Sequence, residues 1–167
     1  MPVWKKQLNS STVSADSSMF DFVMARDYGL PTIIEFLNGW AAEAPRIRSL
    51  RVVRYEDMRT DPGRVLGEIL EYLGTTVTPE RVAAAVDFAR FDNLKALETQ
   101  RAFPGPRLAP SDPQNPDSYK VRRGKVGGYR DYFDDGQLAV IDQLTSTRLS
   151  PFYGYTASDS TSSLAGR

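Results

Sequence analysis

The residues of this chain best suited to chemistry lie between positions 120 and 130. This basic segment, residues 120–130, carries five cationic side chains, three glycines and no acid, in a chain whose formal net charge is zero. Glycines let a backbone approach a ligand closely, and guanidinium groups match phosphate oxygens with two parallel hydrogen bonds. The basic segment is therefore predicted to bind an anion such as an adenylate-type phosphate. The alternative is a solvated basic loop whose glycines only form turns.

The rest of the composition excludes several kinds of chemistry. The 167 residues include no cysteine and no histidine. Disulfides, thiolate nucleophiles and the commonest general base and metal ligand are thereby excluded, so we expect no metal site and identify no catalytic residue. The balance of 21 basic and 21 acidic residues argues against a general nucleic-acid binder.

The elements that must position the basic segment are predicted to be mostly helical. Apolar side chains at helical spacing and capping residues predict helices. Their predicted starts follow Ser18 or lie at Pro31, Pro62, Pro79 and Asp135, with a further helical turn or two after residues 91–94 that reaches about Glu98. Residues 50–55, short and rich in β-branched side chains, are the one clear strand candidate. Trp40 is predicted to lie in the core.

The domain limits follow from where this periodic patterning begins and ends. Residues 1–18 are predicted to be a flexible lead-in, residues 19–155 a single domain, and residues 156–167 a flexible tail. No run of about 18 apolar residues and no apolar signal core is found, so a cytoplasmic protein without a membrane partner is expected.

The order of residues in the basic segment resembles a motif of sulfotransferases that use 3′-phosphoadenosine 5′-phosphosulfate (PAPS). That motif reads Arg-Lys-Gly-x-x-Gly-x-Trp-Lys, and residues 122–130 read Arg-Arg-Gly-Lys-Val-Gly-Gly-Tyr-Arg. Residues 50–58 and the helix ending at Gly74 resemble the family's strand, Tyr-Glu-Asp-Leu and helix ending in Leu-Gly. Residues 91–95 resemble its Ser-Phe-Glu-x-Met-Lys segment. The three matches occur in the family's order.

The resemblance implies a fold and a binding site. The fold it implies is α/β, a P-loop-like sulfotransferase domain. By the same resemblance Arg122, Arg123 and Gly124 hold the 3′-phosphate of the nucleotide co-substrate, and Tyr55 and Phe91 lie beside its adenine. A core tyrosine at a strand end and a core phenylalanine at a helix end are the plain alternatives for the last two.

Several family features are not found in the sequence. The family's 5′-phosphosulfate loop, its catalytic histidine and the arginine and serine of its middle 3′-phosphate segment have no counterpart, and the resemblance spans residues 20–155, the carboxyl half of the family domain. We therefore expect a sulfotransferase-domain protein that is inactive alone, whose complete relatives transfer the sulfuryl group of PAPS to a hydroxyl or amine acceptor.

Two other functions remain open from the sequence. One is a non-catalytic remnant that binds 3′-phosphoadenosine compounds. The other is a helical interaction domain whose basic segment binds single-stranded nucleic acid on aromatic side chains. An uncovered strand further predicts self-association or exposed apolar surface along residues 50–53, which sedimentation and a hydrophobic dye can measure.

Overall fold

The computed structural model describes residues 16–103, 105 and 109–155. Within these ranges the chain forms two compact units. The central unit comprises residues 53–128, and the terminal unit comprises residues 16–52 and 129–155. The predicted tail and all but residues 16–18 of the predicted lead-in lie outside the described residues. The single domain of residues 19–155 stays a prediction.

Helices dominate both units. The α-helices are, in chain order, α1 (Met19–Met24), α2 (Leu30–Glu43), α3 (Tyr55–Thr60), α4 (Pro62–Tyr72), α5 (Pro79–Phe88), α6 (Phe91–Thr99) and α7 (Asp135–Arg148). Short 3-10 helices occupy Ala44–Arg46, Pro116–Ser118, Gly128–Tyr132 and Pro151–Tyr153. Three of the α-helices carry proline in their first turn, where the missing N–H costs nothing because it has no partner within the helix. Five of the predicted helix starts are confirmed within a residue, whereas the helical turns expected after residues 91–94 belong to a helix that already begins at Phe91.

Local capping explains where these helices begin and end. Ser18 accepts a hydrogen bond from the Asp21 N–H at 3.0 Å, and the Asp21 carboxylate accepts one from the Ser18 N–H at 3.1 Å, which is a capping box. Just after the carboxyl end of α4, Gly74 has φ 68°. Its N–H donates to the carbonyl of Glu71, and the Thr75 N–H donates to that of Leu70. This is a Schellman arrangement, which needs a left-handed residue.

The predicted strand at residues 50–55 is wrong. Residues 50–54 belong to no helix, and Arg54 is extended at φ −83° and ψ 142°, but Tyr55 already begins α3. No strand is present anywhere in the described ranges. An extended segment becomes a strand only by pairing with another, and none of the described segments pairs with it. Because α3 begins at Tyr55, Glu56 and Asp57 lie in its first turn, where acidic side chains stabilise a helix by interacting with its dipole.

The exposed apolar surface predicted for residues 50–53 is confirmed. Leu50, Val52 and Val53 are each 40% exposed. The self-association that was the other expectation stays a prediction.

The central unit is built by successive helix contacts. Helix α3 packs on α4, α4 on α5 and α5 on α6. Val65 of α4 is buried, and the Asn93 side chain donates to the Phe88 carbonyl at 2.6 Å where α5 gives way to α6. Phe91 thus begins a helix of its own, because Arg90 between the two helices is extended.

The terminal unit joins α2 to the end of α7. Asn38 of α2 donates to the Arg148 carbonyl at 2.7 Å and accepts from the Ser150 N–H at 2.8 Å. Ile34 and Ile141 are buried in this unit. Trp40 is 48% exposed, which corrects its prediction as a core residue. Its indole contacts the Phe36 ring edge-on, with centroids 6.4 Å apart, so its apolar partner lies on the same helix.

The left-handed end of α4 can be tested with two alanine substitutions. Gly74→Ala is expected to lower the free energy of unfolding by about 1–2 kcal/mol, because an L-residue is strained at positive φ. Gly67→Ala, in the interior of α4 and with no atom within 4 Å of the added Cβ, is expected to raise it by about 0.5–1 kcal/mol. Urea denaturation measures both. Equal effects of the two substitutions would contradict the assigned cap.

Candidate functional site

The structure brings two of the sequence-predicted site residues into contact. Phe91 lies at the start of α6, and Gly124 has φ 56°. A Cβ added to Gly124 would meet the Phe91 ring, at 2.7 Å from Cδ2 and 3.2 Å from Cε2. Gly124 is therefore required twice, by its left-handed backbone and by the ring against it. The two matched segments of the sequence, residues 91–95 and 122–124, meet here.

A buried carboxylate at the other end of α6 binds the start of the basic segment. Glu98 is 2% exposed. Its two oxygens accept hydrogen bonds from the backbone N–H groups of Lys120, at 2.6 Å, and Val121, at 2.8 Å. Burying a carboxylate is costly unless both oxygens are paired, and here the backbone supplies the partners.

The turn that leads into the basic segment is also closed by hydrogen bonds. Ser118 is buried, and its hydroxyl donates to the Asp112 carbonyl at 2.5 Å and accepts from the Asp112 N–H at 3.3 Å. The N–H of Asn115 donates to the same carbonyl at 3.0 Å. This proline-rich stretch, residues 110–118, is ordered by its own contacts just before Lys120.

The two predicted phosphate ligands lie between these contacts. Arg122 and Arg123 are exposed, and Arg123 Nη1 donates to the Gly128 carbonyl at 3.4 Å. Within the described ranges no acidic side chain forms an ion pair with Arg122. Lys95 adds a further cation, since its ammonium lies 5.7 Å from the centroid of the Phe91 ring. The surroundings of Phe91 and Gly124 are thus strongly cationic and suited to a polyanion.

Tyr55 is not brought into this cluster by any described contact. It begins α3 and is 43% exposed. Its side chain forms no hydrogen bond or ring contact with the residues that the structure describes. Its predicted position beside a bound adenine stays a prediction.

One cation counted in the basic segment is already paired. In the terminal unit, Arg130 Nη2 donates to both oxygens of Asp142, at 3.0 and 2.8 Å. The Tyr129 hydroxyl donates to the same carboxylate at 3.2 Å, and the Arg130 guanidinium lies 5.3 Å from the centroid of the Tyr129 ring. The sequence analysis counted Arg130 among the cations of the basic segment, whereas in the structure it binds residues 129–132 to α7.

Sequence reasoning missed both Glu98 and Asp142. Glu98 does carry a signal, since it lies seven residues after Phe91 and four after Leu94, on the same face of α6. A carboxylate at an inward helical position needs buried donors, and that requirement could have pointed to the segment that supplies them. Asp142 carries no comparable signal.

The described part of the chain was found to contain neither a cluster of metal-binding side chains nor a helix able to cross a membrane. No three acidic side chains there are grouped so as to hold a metal ion. None of the helices within the described ranges has the length and apolar run that crossing a bilayer requires.

The Tyr129 phenol offers a test of this polar cluster. Burial, and then the Asp142 carboxylate, raise the pKa of Tyr129 above its ordinary value of about 10, while the Arg130 guanidinium acts in the opposite direction. A raised pKa in the folded state means that this contribution to stability is complete below about pH 10 and is lost as pH rises through the folded pKa.

Tyrosinate absorbance is measured as pH rises, and the part of it that Tyr129→Phe removes is assigned to Tyr129. We expect the midpoint pH of that part to lie above the midpoint of free N-acetyltyrosinamide. In Asp142→Asn the midpoint is expected to fall, because the adjacent negative charge is gone. A midpoint at or below that of the free compound would contradict the assigned cluster.

Comparisons with known proteins support the family resemblance. A family model described as the sulfotransferase domain matches residues 3–152. Flavonol 4′-sulfotransferase of Flaveria chlorifolia is 25% identical over 119 residues, which cover 68% of this chain and 36% of the relative. Flavonol 3-sulfotransferase of Flaveria bidentis is 25% identical over 118 residues, covering 68% and 37%. Cytosolic sulfotransferase 17 of Arabidopsis thaliana is 30% identical over 122 residues, covering 70% and 34%.

The matched region is a limited part of each relative. The chain spans between 34% and 37% of the length of these three sulfotransferases. No solved structure matches the chain significantly. The family match nevertheless extends over most of the sequence, and the chain belongs to the sulfotransferase family.

Proposed function

We propose that the central unit binds the 3′-phosphate and the adenine of PAPS. The observation that supports this most directly is the contact between Phe91 and Gly124. It places an aromatic ring beside the glycine that follows two exposed arginines. An aromatic side chain next to paired guanidinium groups suits a ligand that combines a base with a phosphate.

The proposed roles divide between charge and shape. Arg122 and Arg123 offset the charge of the 3′-phosphate, and Gly124 lets the backbone approach it. Phe91 and Tyr55 lie along the adenine. Arg130 is left out of the proposed site because its guanidinium is bound to Asp142.

The proposed reaction is sulfuryl transfer from PAPS to a hydroxyl or amine acceptor. The bond between sulfur and the bridging phosphate oxygen breaks, a bond from sulfur to the acceptor forms, and the acceptor proton goes to a base. The sequence contains no histidine to act as that base. We propose that this chain supplies the nucleotide-binding side of the reaction and is inactive alone. The P-loop-like α/β fold is proposed from the family resemblance. A cytosolic location is proposed because two relatives are named cytosolic sulfotransferases.

Calorimetric titration tests the binding site. Adenosine 3′,5′-bisphosphate is expected to bind the chain, and adenosine 5′-monophosphate to bind more weakly because it lacks the 3′-phosphate. The double variant Arg122→Ala/Arg123→Ala is expected to bind the bisphosphate at least about a hundredfold more weakly, since each hydrogen bond to a charged group contributes about 1.5–3 kcal/mol.

The matched control is Arg59→Ala/Arg81→Ala. Both arginines are exposed residues of the central unit, so this variant removes the same charge elsewhere. It is expected to keep its affinity within about threefold. An equal loss in both double variants would indicate only general electrostatic attraction. Binding that depends on polynucleotide length and falls steeply with salt would favour a nucleic-acid groove instead.

A transfer assay tests the absence of catalysis. With PAPS and a flavonol acceptor, chosen because two relatives are named flavonol sulfotransferases, the chain alone is expected to release no adenosine 3′,5′-bisphosphate above the buffer rate. Sustained release that Arg122→Ala/Arg123→Ala abolishes would overturn this part of the proposal.

A further inference from the structure

Helix α6 contacts the basic segment at two points. Near its carboxyl end, Glu98 accepts the N–H groups of Lys120 and Val121. At its first residue, Phe91 lies against Gly124. The segment therefore runs along α6 in the opposite direction to the helix, with Arg122 and Arg123 between the two contacts.

The chain between the two contacts is short and bent. Arg122 and Arg123 are the two residues between Val121, whose N–H binds Glu98, and Gly124, which lies against Phe91. The backbone bends at residues 120–122 and is left-handed at Gly124. Because both contacts act on so short a segment, releasing either of them would let the two arginines move.

We infer that Glu98 is a positioning residue for the phosphate site: by binding two consecutive backbone amides it sets the direction in which Arg122 and Arg123 point. This inference rests on the proposed nucleotide site. Among the described residues Glu98 forms its hydrogen bonds with the backbone of Lys120 and Val121 and not with either guanidinium, and it adds a negative charge close to an anion site, so its contribution is geometric. Preorganised ligands lose less freedom on binding and so bind more tightly.

The sign of the effect separates positioning from charge. Glu98→Gln removes a negative charge near the proposed anion site, and charge alone would strengthen the binding of an anion. If Glu98 positions the arginines, the variant binds the anion more weakly instead. The glutamine oxygen can accept one backbone N–H, but its NH2 group is a donor and cannot accept the second. We expect Glu98→Gln to bind adenosine 3′,5′-bisphosphate at least about tenfold more weakly than the unmodified chain.

The ratio of two affinities separates positioning from general stability. A residue that only stabilises the fold would leave a folded variant with unchanged discrimination between adenosine 3′,5′-bisphosphate and adenosine 5′-monophosphate. We expect the ratio to fall at least about tenfold in Glu98→Gln while affinity for the monophosphate changes less than about threefold. Circular dichroism confirms that each variant is folded at the temperature of titration.

Two further variants control the experiment. Glu98→Asp keeps the charge but is one methylene shorter, so its carboxylate falls short of the two amides; it is expected to lose the same discrimination and stands in if Glu98→Gln does not fold. Glu71→Gln removes a carboxylate from an exposed position of α4 and is expected to leave both affinities unchanged. If both Glu98 variants keep the discrimination, Glu98 does not position the arginines.

Hydrogen exchange of the unmodified chain tests the inference without any variant. The amides of Lys120 and Val121 are expected to exchange more slowly than that of Arg122 in the absence of nucleotide. Unprotected amides at both positions would overturn the inference. If the unmodified chain binds no bisphosphate, the proposed function fails and the role of Glu98 fails with it. Binding that is insensitive to Glu98 overturns this inference alone.

Discussion

The hydrogen bonds between the buried Glu98 carboxylate and the backbone of Lys120 and Val121 organise the central unit around its basic segment. They join Glu98 to two residues that follow it by 22 and 23 positions in the sequence. These hydrogen bonds lie between two of the segments that resemble the family's motifs, residues 91–95 before Glu98 and residues 122–130 after Val121. Without them, the segment that carries Arg122 and Arg123 would keep, of the contacts to α6 described above, the packing of Gly124 on Phe91.

Features set by nearby residues could be predicted from the sequence. Ser18 and Asp21 form a capping box three residues apart, and Gly74 ends α4 through bonds to the preceding turn. Both depend only on local geometry, so residue types and spacing are sufficient. The contact of Phe91 with Gly124 has a different origin: only the family resemblance placed these two residues in one site.

Features set by distant partners could not be predicted in this way. Residues 50–54 have the composition of a strand and belong to no helix, but pairing depends on another segment that a local pattern does not reveal. Arg130 was counted among the cations of the basic segment, and its actual partner, Asp142, lies twelve residues further on. Trp40 has an apolar side chain at helical spacing, yet half of it is exposed, because spacing identifies a helix face without identifying what covers it.

The packing of Phe91 against Gly124 limits how this domain can vary. Any side chain at position 124 needs room that the ring occupies, and a smaller residue at position 91 leaves a void unless position 124 fills it. The two positions are therefore epistatic: the tolerance of each to substitution depends on the residue at the other. Related sequences that carry alanine at position 124 should compensate at position 91, and single-site substitution scans would underestimate the sequences that this fold accepts.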